Sequence, residues 1–186
     1  MIFYTSELML GDNEYLCKSN RHFTNILTMN SVIISSWNQM VSGSDDVYIL
    51  GGVGDFEYLK SLNGNKRLIM SSYEMKHFND QRRKKTGDPY DELDVEIYEK
   101  FLYNNYGIVS VNHTGRMIKK TCTGKFVWLT TNPSYTKSDM FNVYGCIGDF
   151  QKMVSNGINA SVGVNNYYPI SETELEYYSK HVDKLV

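Results

Sequence analysis

Cysteine is scarce in this chain, and what there is does not pair. Cys17, Cys122 and Cys146 are odd in number, far apart and never spaced as Cys-x-x-Cys. That excludes a disulfide-built fold and a zinc ribbon, and it points to a reducing cytoplasm. An excess of charge of one sign is also lacking, since 19 basic and 21 acidic side chains leave a formal net charge of -2. A broad nucleic-acid or anionic-membrane surface needs clustered positive charge, so neither is expected. No run approaches the roughly 20 apolar residues of a membrane span, and no basic segment precedes the first apolar run, so neither a span nor a secretion signal is expected. Internal repeats and low-complexity segments are missing too.

What is present is enough for one domain over residues 1–186, since 41% of the side chains are hydrophobic and can fill a single sizeable core. Short apolar runs at Ile2 to Thr5, Val47 to Leu50 and Arg67 to Met70 read as buried strands. Between them, Asn30 to Val41 places Val32, Ile33, Trp37, Met40 and Val41 at helical spacing, and Asp55 to Leu62 is a shorter helical candidate. Strand, helix, strand, helix, strand with short turns predicts parallel pairing. After a helix near Asp94 to Asn104 the rhythm changes. Ile108 to Val111, Met117 to Thr121, Phe126 to Thr130, Phe141 to Cys146 and Ile158 to Val164 read as strands, and Ser171-Glu172-Thr173-Glu174 is a capping box opening a terminal helix. The fold class is therefore α/β, a two-layered mixed β-sheet sandwich flanked by helices. Asn79 to Asp94 carries Arg82-Arg83-Lys84-Lys85 and then Asp88, Asp91, Glu92 and Asp94, with little to bury, and reads as an exposed charged loop.

Gly51-Gly52-Val53-Gly54-Asp55 lies between a strand and a helix, where a phosphate-cradling loop would sit. Its glycine spacing fails that motif and Asp55 adds negative charge, so a tight turn is expected. Glu74 and His77 stand at i, i+3 and could share a metal, but one such pair more simply marks a solvated helix start. The scattered histidines define no triad.

The chain opens with Thr5-Ser6-Glu7-Leu8-Met9 and continues with Asn20-Arg21-His22-Phe23 and with Met29-Asn30 through Trp37-Asn38. Asp45-Asp46-Val47-Tyr48-Ile49-Leu50-Gly51-Gly52 and Leu62-Asn63-Gly64-Asn65-Lys66-Arg67-Leu68-Ile69 follow, and then Ser161-Val162-Gly163-Val164-Asn165 with Pro169-Ile170-Ser171. In that order and spacing these segments resemble the compact phage and bacterial calcineurin-like metallophosphoesterases. The resemblance implies a four-layer α/β/β/α fold and a dinuclear metal site that clamps phosphate and generates hydroxide.

The same resemblance implies that the ligands have been replaced. The family's first aspartate and its companion histidine correspond to Glu7 and Met9, and the bridging aspartate corresponds to Gly52. Gly-Asn-His-Asp becomes Ser71-Ser72-Tyr73-Glu74, a ligand histidine falls at Thr131 beside Asn132, and Gly-His-x-His becomes Gly145-Cys146-Ile147-Gly148. A vestigial cleft of Glu7, Met9, Gly52, Ser72, Tyr73, Glu74, Thr131, Asn132, Cys146 and Gly148 is expected, with no catalytic residue, no metal and no cofactor.

The function this implies is that of a pseudoenzyme, phage-encoded and acting in the host cytoplasm as a protein-binding scaffold or inhibitor of a host factor. Candidate partner-binding residues are Arg82, Arg83, Lys84 and Lys85, with Tyr167, Tyr168, Tyr177 and Tyr178, because tyrosine brings large contact area with a polar tip. Two alternatives stay open. One is a metal-independent module binding a nucleotide or other small molecule in the emptied cleft; the other is a phosphodiesterase with a rebuilt site. A homo-oligomer is compatible with all three.

Overall fold

The computed structural model describes residues 1–88, 94–154 and 156–185. Five strands form the first sheet, in the order β10-β1-β2-β3-β4: β1 (Ile2–Thr5), β2 (Asp46–Leu50), β3 (Asn65–Ile69), β4 (Ile108–Asn112) and β10 (Ile170–Ser171). The pairs from β1 to β4 are parallel, as the alternation of strands and helices predicts, and β10 lies antiparallel against β1. Side chains alternate across it. Phe3, Val47, Ile49 and Leu68 face the helices, whereas Tyr4, Tyr48, Leu50 and Ile69 face the second sheet. Strands covered on both faces carry apolar residues on both, which is why β1 and β2 stood out in the sequence.

The helical side carries α1 (Asn13–Lys18), α2 (Ile26–Met40), α3 (Ser72–Thr86) and α4 (Val95–Tyr106), with a 3-10 turn over Phe56–Ser61. Asn25 caps α2 by accepting the Thr28 N–H at 2.9 Å, so the helix begins before the apolar stripe that revealed it. Its buried face is Met29, Ile33 and Trp37, each worth about 1.5–3 kcal/mol of burial. Trp37 Nε1 donates to the Asn63 carbonyl at 2.9 Å, which fixes α2 to the turn before β3.

Residues 79–86 correct the expected loop, because they continue α3. Phe78 is the anchor, buried against Phe56 and Tyr98. Arg83, Lys84 and Lys85 sit in the last turn, where the helix dipole favours cations, and Gly87 ends it in the left-handed conformation at φ 74°. Residues 89–93 of that expected loop lie outside the described residues, and Asp94 is the N-cap of α4.

The second sheet has the order β5-β6-β7-β9-β8, from β5 (Arg116–Lys120), β6 (Phe126–Thr130), β7 (Phe141–Tyr144), β8 (Met153–Val154) and β9 (Gly157–Asn159). Strands β6, β7 and β9 are mutually parallel, so this sheet is mixed as well. Val127, Leu129, Phe141, Val143 and Ile158 meet the first sheet in a shared core. On its far side, Trp128 Nε1 donates to the Tyr135 carbonyl and the Asn142 amide bonds to Lys137 and Met140, so the segment after β6 forms the cover there. Helix α5 (Glu172–Leu185) packs Leu175 and Tyr178 into the inter-sheet core and lies along β1, β9 and β10. Two expected strands end early: β7 stops at Tyr144, and Val162–Asn165 is a 3-10 turn. No helix of the described residues is long and apolar enough to cross a membrane.

Candidate functional site

Parallel strands all deliver their carboxyl ends to one edge of a sheet, and the loops leaving them must meet there. Glu7 and Met9 follow β1, Ser71 to Tyr73 follow β3, His113 to Gly115 follow β4, Thr131 to Tyr135 follow β6, and Cys146 follows β7. These loops enclose a cleft of about 670 Å³, a size typical of small-molecule sites. Of the expected cleft residues, Glu7, Met9, Ser72, Tyr73, Thr131, Asn132 and Cys146 line it. Gly52, Glu74 and Gly148 do not; Glu74 and Gly52 bond to each other, and Gly148 lines a neighbouring hollow with Glu7, Tyr15 and Lys18.

The wall is backbone packed on backbone. Glu7 N–H donates to the Gly51 carbonyl at 3.0 Å and Met9 N–H to Gly52 at 2.8 Å, so the chain after β1 runs tightly against the chain after β2. Glu7, Met9 and Cys146 have φ of 51°, 48° and 55°, and are three of the six non-glycine residues with positive φ among those described. Such conformations cost energy and persist only where surrounding contacts over-determine them.

Glu74 is fully buried, which corrects the expected solvated helix start. Its Oε1 accepts the N–H groups of Gly52 at 2.6 Å and Val53 at 3.0 Å. Its Oε2 accepts the Ser71 N–H at 2.9 Å and the Ser71 hydroxyl, completing a capping box. The glycine turn that resembles a phosphate loop thus directs its amides at a carboxyl group of its own chain.

A second buried polar group was missed in the sequence. Arg21, 1% exposed at its side chain, pairs through Nε with Asp149 at 2.8 Å, and its Nη atoms donate to the carbonyls of Leu8 at 3.2 Å and Glu7 at 2.5 Å. Asp149 also accepts the Ser161 hydroxyl. Arg21 and Asp149 are 128 positions apart, and no local pattern announces such a pair. His113, also unforeseen, lines the cleft with Nε2 3.1 Å from Glu99.

Glu7 is 5% exposed. Its Oε2 accepts the Gly148 N–H at 2.9 Å, the Tyr15 hydroxyl lies 3.5 Å from Oε1, and the Ser161 hydroxyl is also beside the carboxyl group. Burial first, and Asp149 next, push its pKa above the usual carboxyl range, against the Gly148 N–H and Arg21; Tyr15 and Cys146 face it from the other sides. Burial likewise pushes the Cys146 thiol up and, with Asp12 beside it, the Tyr73 hydroxyl up to about 12. A carboxyl group whose folded pKa is raised holds its proton longer folded than unfolded. Its favourable contribution is complete below the unfolded pKa and is lost as pH rises through the folded one. Glu7→Gln, which fixes the neutral shape, is therefore expected to raise the melting temperature at pH 8 and to leave it nearly unchanged at pH 4. A lower melting temperature for the variant at pH 8 would contradict this placement of Glu7.

A pair of hard divalent ions needs a bridging carboxylate and convergent imidazoles, and the residues here do not fit. A Cβ built on Gly52, at φ 72°, would sit 2.7 Å from Glu7 Cα and 2.9 Å from Glu7 N. There is neither a side chain nor room for one. Other groups are already committed: Thr131 Oγ1 donates to the Gly115 carbonyl at 3.1 Å, Asn132 Oδ1 accepts the Ser134 N–H at 2.9 Å, and Cys146 Sγ lies 3.4 Å from the Leu50 carbonyl. Gly52→Asp is expected to destabilise the protein by about 2 kcal/mol through a strained backbone and overpacking, and to restore no metal binding. Denaturant melts and metal titration of the variant check both halves.

Among the described residues one other group has ligand-type atoms close together, Cys122, Glu172 and Glu176, within 4.8 Å of one another. Its glutamates are held by protein donors, namely the Tyr4 hydroxyl at 2.9 Å, the Cys122 N–H at 3.0 Å and the Thr123 hydroxyl.

The candidate partner-binding residues are not brought together. Arg82 to Lys85 end α3, Tyr167 packs on Phe23 at the helical core, and the Tyr168 hydroxyl bonds Gln39 on α2 at 3.1 Å. Tyr177 and Tyr178 stack edge to face on α5, where Tyr178 enters the inter-sheet core.

No protein-family model and no curated protein matches this chain. Among solved structures, the crystal structure of a protein of unknown function from Aquifex aeolicus aligns with 100% of this chain and 99% of its own, at a TM-score of 0.61 and 19% identity. At that identity the likeness is one of fold.

Proposed function

We propose that this chain is a degenerate calcineurin-like metallophosphoesterase, phage-encoded, that has lost its chemistry and acts by binding a protein, as a scaffold or inhibitor of a host factor. On this reading its two sheets, helical cover, α5 and the segment over Trp128 are the inherited four-layer frame. One observation carries it: five of the positions matched to metal ligands, Glu7, Met9, Ser72, Thr131 and Cys146, line a single cleft, while the bridging position, Gly52, is pressed against Glu7 with no space for a carboxylate. The positive φ of Glu7, Met9 and Cys146 supports it, since costly backbone shapes at those positions are what an inherited site leaves behind.

The reading fails if protein loaded with manganese retains close to two ions per chain, or if it cleaves a phosphodiester reporter above the rate of a Glu7→Gln control. The binding half is tested by affinity capture from host lysate, where one dominant partner is expected and its reproducible absence counts against the scaffold role.

A further inference from the structure

We infer that the cleft receives the charged end of an organic cation, a guanidinium or primary ammonium group, seated against the Glu7 carboxylate. This takes the cleft, as the proposed function does, to be a place of binding rather than turnover, but it does not require a protein partner. Three observations converge on it.

The first is that Glu7 is left under-bonded. It is 95% enclosed, and beside the Gly148 N–H on Oε2 it has only weak hydroxyl neighbours: Ser161, whose hydroxyl is donated to Asp149, and Tyr15 at 3.5 Å from Oε1, beyond the usual range of about 2.5–3.0 Å for a hydroxyl donor. The nearest cation, Arg21, favours its charge from a distance but gives it no hydrogen bond, because its nitrogens are spent on Asp149 and on the carbonyls of Leu8 and Glu7. A buried carboxylate in this state gains from a ligand that brings N–H donors and positive charge together.

The second is the lining. Met9, Met75, Tyr73 and Tyr135 offer thioethers and ring faces, which suit the alkyl stem and the charged head of such a ligand. Tyr135 already accepts a guanidinium of this chain, with Arg116 4.3 Å from its ring centroid.

The third is charge. Among the described residues no lysine or arginine lines the cleft, although Lys18 lines the hollow on the other side of Glu7 with Tyr15 and Gly148. Asp12 lines an adjoining hollow that shares Tyr73, whose hydroxyl it accepts at 3.1 Å. An anionic ligand would meet Glu7 with no cation to hold it, and the amides of Gly52 and Val53 are taken by Glu74. The same chemistry could be presented by a free amine or by a basic side chain of a partner, and the probes separate the two.

Calorimetric titration with agmatine, putrescine, and the tripeptides Gly-Arg-Gly and Gly-citrulline-Gly tests the inference. Binding of agmatine or Gly-Arg-Gly is expected, with at least a tenfold loss in Glu7→Gln and no binding of the citrulline peptide or of succinate. Ser72→Lys, which adds an ammonium at an exposed position of the lining and leaves Glu7 intact, is expected to weaken it as strongly. Stronger binding of agmatine assigns a small-molecule source, and stronger binding of the arginine peptide assigns a protein side chain. Absence of heat with every cation at 10-fold millimolar excess overturns the inference, as does equal affinity in Glu7→Gln. Either failure leaves the scaffold reading standing on its metal and capture tests, and failure of those leaves the cation site standing.

Discussion

Arg21→Met is expected to remove about 3–5 kcal/mol of stability, the usual cost of breaking a buried ion pair from one side. For a chain of this size that corresponds to a fall of roughly 6 to 20 °C in melting temperature. The magnitude follows from what the guanidinium holds. Without it Asp149, 8% exposed, keeps only the Ser161 hydroxyl, and the carbonyls of Glu7 and Leu8 lose donors in a segment where Glu7 already sits at φ 51°. Methionine keeps much of the volume, so the loss reads electrostatics and hydrogen bonding rather than a cavity. Arg21→Met combined with Asp149→Asn should recover part of the loss, because the second change removes the stranded charge. A single-variant loss below about 1 kcal/mol in urea melts would show that the pair is solvated and that the loop after β1 is held by other means.

Glu74→Ala is expected to cost at least about 3 kcal/mol, since it strands the N–H groups of Gly52, Val53 and Ser71, each worth about 1–3 kcal/mol when buried without an acceptor. Glu74→Gln should cost less but still measurably. Its amide oxygen can serve the Gly52–Val53 side, while its NH₂ then confronts the Ser71 N–H. Loss should appear first as faster hydrogen exchange at Gly52 and Val53, before any global change, because those amides depend on this one side chain. Unchanged protection there, in a variant that folds, would refute the account of the turn.

The first sheet was readable because its central strands β1 and β2, covered on both faces, are apolar along most of their length, and α2 between them shows a stripe. Two helices escaped for opposite reasons. α1 has six residues and a single buried side chain, Leu16, too little for a period. α3 is polar along most of its length, held by a capping box, by Phe78 and by cations at its end, so composition argued against an element that its caps secure. Glu7, Met9, Thr131 and Cys146 were singled out in the sequence one motif at a time, and no spacing there announced that all four line one cleft. What the sequence could not supply was which neighbours satisfy those groups. The clasp of Arg21 on Asp149 and the reach of Glu74 to Gly52 join residues 128 and 22 positions apart, and their partners are fixed only when the loops meet.

Strand β1 is an inner strand, with β2 on one side and β10 on the other, and Tyr4 on it donates to Glu172 at the start of α5. During synthesis β1 thus waits for a strand that lies far downstream of it. Until Ile170 and Ser171 emerge from the ribosome, one flank of β1 has unpaired amides and carbonyls beside the apolar Phe3 and Tyr4, an open template for another chain. The seam between β1 and β10 therefore closes late. A ribosome stalled short of residue 170 would hold out a sticky edge, for which chaperones and neighbouring nascent chains would compete.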